Sequence, residues 1–377
     1  MVLSLLSPLK CFHLNAGNFS GQSVTTDQIV KSAASSIEST RTLINNDLIN
    51  LHEDTRRLFK TERPELKEIC DYYFDGSGKS TRPLIICAWA RALNRHYSSL
   101  KTPNKNEPKL LASQRQIALI AEMIHVASLI HDDIIDNSDL RRGKSSVNSQ
   151  WGCHKAVMAG DYVLAVSSKA LSQLGNTLVI ETLSDVLEDL VKGELMQFGS
   201  KESENERFQH YTTKTYRKTA SLFANSCKSV ALLLKANENN PKELDDLDIV
   251  TLSFEFGKNL GIAFQLIDDV LDFTSHSEQL GKPGVGADLR LGLATAPVLF
   301  AASKYPQLNA MIMRRFSQKD DAKKAFEYVL QSDGIRETRF LASKYCENAE
   351  NILNKLNKSH ETDFLRRFIR KLTLREK

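Results

Sequence analysis

The stretch RQIALIAEMIHVASLIHDDIID, residues 115–136, decides how this chain is read. Its apolar residues recur nearly all round a helix rather than along one stripe, the pattern of a helix buried on every side. It then ends in Asp132, Asp133 and Asp136. Asp is a weak helix former and is costly to bury without a partner, so positive charge must lie close by. The same construction returns at 245–273, DDLDIVTLSFEFGKNLGIAFQLIDDVLDF, which carries Asp268, Asp269 and Asp272. The spacing DDxxD is present twice, as DDIID at 132–136 and as DDVLD at 268–272.

Helical spacing also runs through roughly 27–60, 64–73, 80–96, 153–173, 176–200, 205–234, 290–303, 319–332 and 335–372, with no series of alternating strands. The expected fold class is therefore all-α, as a single domain over 27–377. Polar or Gly/Pro-containing loops are expected at 98–110, 235–244 and 274–287. With 41% hydrophobic and 25% charged residues the composition is that of an ordinary globular protein. A net charge of +4, without a Lys/Arg stripe interleaved with aromatics, gives no reason to expect nucleic acid. Six cysteines without a CxxC pair read as reduced thiols, with neither a disulfide framework nor a zinc site.

No apolar run reaches the roughly 18 residues of a spanning helix, so a soluble chain is expected, with a peripheral membrane contact still open to it. Residues 1–26 contain no Asp or Glu and are rich in Ser, Thr and Leu, which is half of an organelle transit signature. Only Lys10 is basic there and no Arg precedes Arg41. Residues 1–26 are read as a flexible segment, either a mitochondrial presequence or a plain tail.

Within each acidic motif, positions i and i+4 share a helix face, so Asp132 pairs with Asp136 and Asp268 with Asp272. Four inward carboxylates from two facing helices would repel unless cations sat between them. Oxygen-only ligands suit Mg²⁺ or Mn²⁺, and Mg²⁺ combines one or two carboxylates with phosphate oxygens of a substrate. A single triplet could equally be a solvated helix end; two copies, each closing a long apolar helix, weigh against that. Neither has the central Gly and terminal Glu of a Ca²⁺ loop.

If diphosphates bind, further cations must meet their remaining oxygens. DGSGKSTRP (75–83) sets Lys79 and Arg82 three apart at a helix entry behind glycines, though it is not a Walker A loop. Arg141 and Arg142 follow the first acidic motif, where paired Arg would otherwise be solvated surface. His125 lies two turns before Asp132 on the same face, although a lone His in an apolar helix is more often a core residue. Lys218 and Thr219, in YRKTASL, and Gln265, one turn before DDVLD, carry no distinguishing pattern of their own.

Together these residues resemble the trans-prenyltransferases, the polyprenyl diphosphate synthases, and within them the subunit 1 type of the decaprenyl/solanesyl synthases that make ubiquinone side chains. The resemblance rests on DGSGKSTRP, LIHDDIIDNSDLRRGK, GELMQ (193–197), KTASL (218–222) and GIAFQLIDDVLDF followed by GKPGVGADL, and extends from about residue 27 over nearly the whole chain. It implies an isoprenoid synthase-type bundle of about ten or more helices around a central active-site cavity.

It also implies that Asp132 and Asp136 hold Mg²⁺ (or Mn²⁺) against an allylic diphosphate, that Asp268 and Asp272 complete the cluster, and that Asp133 and Asp269 orient those ligands. Lys79, Arg82, His125 and Arg142 match positions that bind isopentenyl diphosphate, and Arg141 one that contacts the allylic substrate. Lys218, Thr219, Gln265 and Lys282 match groups around the departing diphosphate and the reacting carbon. DGSGK departs from the GGK of many bacterial relatives while keeping the spacing of its cations.

The implied reaction is head-to-tail condensation of farnesyl or geranylgeranyl diphosphate with successive isopentenyl diphosphates, in a homodimer or a heteromer with a second synthase subunit. The implied location is mitochondrial, on the matrix side, with the cytoplasm as the alternative. About one turn before Asp132 stand Ala127 and Ser128, both small, where a bulky aromatic looks like the floor that stops chain growth in this family. An open tunnel predicts a product longer than geranylgeranyl, with Met123 lying deeper; the alternative is that small residues simply let helices pack closely. A terpene cyclase would normally have a different second acidic motif and lack the isopentenyl diphosphate cations. A short-chain synthase would differ mainly at the tunnel floor, and a non-catalytic subunit would have eroded Asp motifs.

Overall fold

In the computed structural model the two acid-tipped helices are the long buried elements of a helical bundle. Residues 47–75, 78, 80–101, 109–198, 203–237, 248–274 and 286–375 are described; residues 1–46, Lys79, Lys282 and most of the three expected loops lie outside them. The chain runs α1 (Leu51–Leu58), α2 (Pro64–Tyr73), α3 (Thr81–Lys101) and α4 (Ala112–Ile135), then β1 (Leu140–Arg141) and β2 (Lys144–Ser145). It continues through α5 (Val147–Trp151), α6 (Cys153–Ser172), α7 (Thr177–Leu195), α8 (Glu204–Thr215), α9 (Ser221–Ala236) and α10 (Ile249–Thr274). The last part comprises α11 (Ala287–Arg290), α12 (Ala296–Lys304), α13 (Gln307–Met313), α14 (Asp321–Gln331), α15 (Gly334–Leu353) and α16 (His360–Thr373). The expected all-α class holds.

The departures are local and have physical causes. Between α8 and α9 the expected continuous helix widens into a π turn at Tyr216–Ala220. The expected helix over 335–372 breaks before α16, where Ser359 and Thr362 each accept the other's backbone N–H in a capping box, at 3.2 and 2.9 Å. The helix expected over 176–200 ends at Leu195 in a 3₁₀ turn, Met196–Phe198. A small hairpin was not anticipated: Leu140 pairs with Ser145 and Arg141 with Lys144, leaving Arg142 and Gly143 as its two-residue turn. Both have positive φ, 54° and 77°, the condition for a turn whose twist matches its strands.

Two apolar clusters hold the bundle. The larger includes Trp89, Phe223, Phe256, Leu260 and Leu365; the smaller gathers Phe59, Phe74, Met123, Ala127 and Val163 where α2, α4 and α6 meet. Trp89 on α3 stacks on Phe256 of α10 at 4.0 Å, and its indole N–H donates to Ser253 at 2.9 Å. This contact buries a large aromatic and also satisfies its polar atom.

On α10 a stripe of glycines sets the approach of its neighbour. A Cβ at Gly257 would stand 2.4 Å from the Phe223 carbonyl oxygen, and one at Gly261 would stand 2.6 Å from the Ala220 Cα. Only helices lacking side chains there can come so close. One turn further along the same stripe is Gln265, which is thereby pressed against the π turn.

Candidate active site

Asp132 sits on α4 with its side chain about one-fifth exposed, facing Lys218 at 3.6 Å. Lys218 also donates to Glu194 of α7 at 2.6 Å. Burial pushes the Asp132 carboxyl up to about 6, with Lys218 opposing and Glu194 and Asp136 reinforcing the rise. Asp136, the last residue of the motif, is raised for the same leading reason. Asp133 is different: it is fully buried, accepts the Tyr73 hydroxyl at 3.0 Å, and is gripped by Arg141 through Nε at 2.8 Å and Nη2. Arg141 is thus tied to the motif's own middle aspartate, bracing the end of α4.

The second motif repeats this plan. Asp269 is buried, accepts the Tyr211 hydroxyl at 2.6 Å, and accepts the Gln265 amide at 2.8 Å. In both motifs a tyrosine from another helix anchors the second aspartate, and the first and last remain for chemistry. Asp268 is paired with Arg375, at the C-terminal end of the described chain, at 2.7 Å, and that guanidinium also lies 5.6 Å from the Phe264 ring centroid. Burial pushes the Asp268 carboxyl up to about 6 even so, against the pull of Arg375. Asp272 accepts the backbone N–H groups of Ala287 and Asp288, at 2.9 and 3.1 Å, at the start of α11.

The π turn joins the two halves. Its Lys218 reaches Asp132, while the neighbouring Thr219 donates its hydroxyl to the Gln265 carbonyl oxygen at 2.8 Å, and Gln265 in turn holds Asp269. Consecutive helical side chains point roughly 100° apart, so the two neighbours in this turn reach two different helices. Burial works against the charge on Lys218, but Asp132 and Glu194 more than offset it and raise its affinity for the proton.

A cationic cluster flanks α4. Arg82 lies 5.1 Å from the Phe223 ring centroid and its Nε meets no acceptor among the described residues. Arg142 comes within 3.9 Å of Glu122, and a Cβ at Gly78 would collide with its Nη1 at 2.5 Å. Burial first, then the charges of Arg82, Arg142 and Arg141, hold His125 well below its ordinary range, so the imidazole is neutral. The cluster therefore has two guanidiniums and a neutral donor, partly balanced by one carboxylate, and can take up an anion. Ser128 is only partly buried along the same stripe as His125 and Asp132, whereas Ala127 and Met123 are fully buried in one cluster with Phe59 and Phe74.

Among the described residues no three His, Cys, Asp or Glu side chains converge closely enough to form a ready-made metal cage. What fits a divalent ion is the donor set: oxygen-only carboxylates whose proton affinity is raised by burial, and whose charge a metal would stabilise. Tyr73, Tyr211, Glu122 and Arg375 were not anticipated from the sequence, and Glu194 was present only within GELMQ, with no role of its own. The tyrosines could have been found only by asking what satisfies the middle aspartate of each motif. Arg375 carries no motif and becomes visible only when the chain end is brought to Asp268.

A family model described as polyprenyl synthetase matches residues 63–329. The chain is 54% identical over 319 residues to the all trans-polyprenyl-diphosphate synthase PDSS1 of Homo sapiens, covering 85% of this chain and 73% of that one. It is 39% identical over 330 residues to the mitochondrial solanesyl-diphosphate synthase 1 of Oryza sativa, covering 86% and 74%. A polyprenyl synthase from Caulobacter crescentus, solved with calcium and isoprenyl diphosphate, superposes with a TM-score of 0.75 at 25% identity, covering 90% and 98%.

Proposed function

Since the chain belongs to the polyprenyl synthetase family, we propose a division of labour among its residues for the condensation that this family carries out. The protein is a prenyltransferase, a long-chain all-trans polyprenyl diphosphate synthase acting on isoprenyl diphosphates, and it depends on a divalent metal. Mg²⁺ is the proposed ion, with Mn²⁺ able to replace it, held by Asp132 and Asp136 and by Asp268 and Asp272. When bound, it supplies charge stabilisation to the diphosphate as the allylic C1–O bond breaks.

Lys218 steadies the departing diphosphate, and Thr219 and Gln265 hold the second motif in register with it. Arg82, Arg142 and neutral His125 hold isopentenyl diphosphate, with Lys79 the further cation expected there; Lys282 is the cation expected beside the departing diphosphate, and Arg141, expected at the allylic substrate, also sets the first motif from behind. Holding the two substrates side by side lowers the entropic part of the barrier. Apolar walls keep water from quenching the allylic cation. The growing chain extends past Ser128.

The observation that carries this assignment is the π turn whose consecutive residues touch both aspartate helices. A second synthase chain, the same or a partner subunit, is proposed to cover the apolar side chains exposed on α6 and α7, Val157, Met158, Leu178, Val191 and Leu195. A mitochondrial site of action is proposed from the rice relative, with a peripheral membrane contact for product release and a product serving ubiquinone synthesis. No helix among the described residues is long and apolar enough to cross a membrane.

The test is incubation with farnesyl diphosphate, labelled isopentenyl diphosphate and Mg²⁺, with and without a candidate partner subunit, followed by sizing of the product. Elongation beyond geranylgeranyl that disappears in Lys218→Met and Asp132→Ala is the expected result. Wild-type rates in either variant would overturn the assignment of roles.

A further inference from the structure

A second cationic pocket lies behind the anchor of the second motif. On α8, Arg207, His210, Tyr211 and Lys214 stand at i, i+3, i+4 and i+7, which places them on one face. That face looks across an open pocket of about 490 Å³, counted out into solvent, toward Leu293 and Arg315. Among the described residues that line it are Arg207, Lys214, Arg315 and the His210 imidazole, and none of the described lining residues is a carboxylate.

A buried guanidinium is costly to keep unless its N–H groups meet acceptors. Arg207 is only 6% exposed, and its Nε and Nη1 meet no acceptor among the described residues. Burial holds Lys214 below its ordinary range although Asp269 and Asp288 pull the other way. Arg315 is itself held at a φ of 55°, with Gly292 opposite; a Cβ there would press on Arg315 Nε at 3.3 Å. The wall nearest the aspartates is Tyr211, whose hydroxyl is spent on Asp269.

We propose that this pocket is a binding site for inorganic diphosphate, separate from the paired aspartates. Arg207 and Lys214 are seven residues apart, two turns along one helix face, so their long side chains can converge on one anion. Arg, with its fork of donors, and Lys, as a point charge, are the ordinary phosphate ligands. The choice of diphosphate rests on the prenyl-transfer role above, because that reaction releases it; the anion site itself does not.

The test is calorimetric titration of the full chain with sodium diphosphate and, separately, sodium phosphate, with EDTA present so that the aspartate site cannot bind through metal. Wild type and Asp268→Asn are expected to bind diphosphate equally, and Arg207→Met at least tenfold more weakly. Because Arg207 is buried, Arg315→Gln serves as the second variant, with a several-fold loss expected and its fold checked by circular dichroism. No binding to wild type in EDTA, or unchanged binding in both folded cation variants, would overturn the site. Orthophosphate binding as tightly as diphosphate would overturn the choice of ligand. Failure of the elongation assay leaves these titrations readable, so the two ideas fall separately.

Discussion

Replacing Asp132 by Asn should stabilise the metal-free protein and abolish its activity. Burial raises the Asp132 carboxyl from 3.8 to about 6. A carboxyl whose proton affinity is higher folded than unfolded costs stability once it is ionised. That cost is complete above about pH 6, shrinks as the pH falls, and is gone below about pH 4. Roughly two units at 1.36 kcal/mol each set a ceiling of about 3 kcal/mol at neutral pH.

The amide keeps the shape but gives up the attraction to Lys218, which remains bonded to Glu194 at 2.6 Å. The attraction is already netted into the shift, and imperfect amide packing lowers the gain, so about 1–3 kcal/mol is expected. Urea unfolding in EDTA at pH 7.5, 6 and 4.5 measures it, with the product assay run in parallel. A variant less stable than wild type at pH 7.5, or a gain that does not shrink toward pH 4.5, would refute the reasoning.

Apparent metal affinity should fall steeply with acid, because Asp132 and Asp268 both take up protons near pH 6 and metal must displace them. From pH 7.5 to 5 each goes from almost fully ionised to about one-tenth ionised, so binding that needs both should weaken on the order of a hundredfold by Mn²⁺ titration. Arg375→Gln removes a cation that competes with metal for Asp268; at pH 8 the Mg²⁺ needed for half-maximal rate should drop about two- to fivefold, the scale of a partly exposed ion pair. Ser128→Phe should shorten the product without unfolding the protein, while Ala127→Phe, at a fully buried site, should cost about 1–3 kcal/mol or more in urea unfolding. Gly261→Ala pushes a methyl into the Ala220 backbone; turnover should fall tenfold or more as Thr219 loses Gln265, and an unchanged rate would contradict the close approach of α10.

Helix type and the two acidic ends were legible along the chain because burial on all sides leaves an unbroken apolar pattern, and because DDxxD is a local spacing. Helix ends were less so: the break before α16 depends on one capping box, and the hairpin on two consecutive left-handed residues, Arg142 and Gly143. Which groups hold the middle aspartates became visible only in three dimensions. Asp133 and Asp269 look like their neighbours in the sequence, and it is Tyr73 and Tyr211, each about 60 positions away, that take them out of play.

The sequence by itself determined the all-helical class, the paired carboxylates and the cations near them, since these depend on residue type and on spacing within a turn or two. Tertiary structure alone decided that Lys218 and Thr219 serve different helices, that Arg375 returns to Asp268, and that Arg207 is buried with its Nε and Nη1 meeting no acceptor among the described residues. Those contacts join residues far apart along the chain, and their geometry follows from how closely the glycine stripe lets α10 approach, which no local pattern encodes.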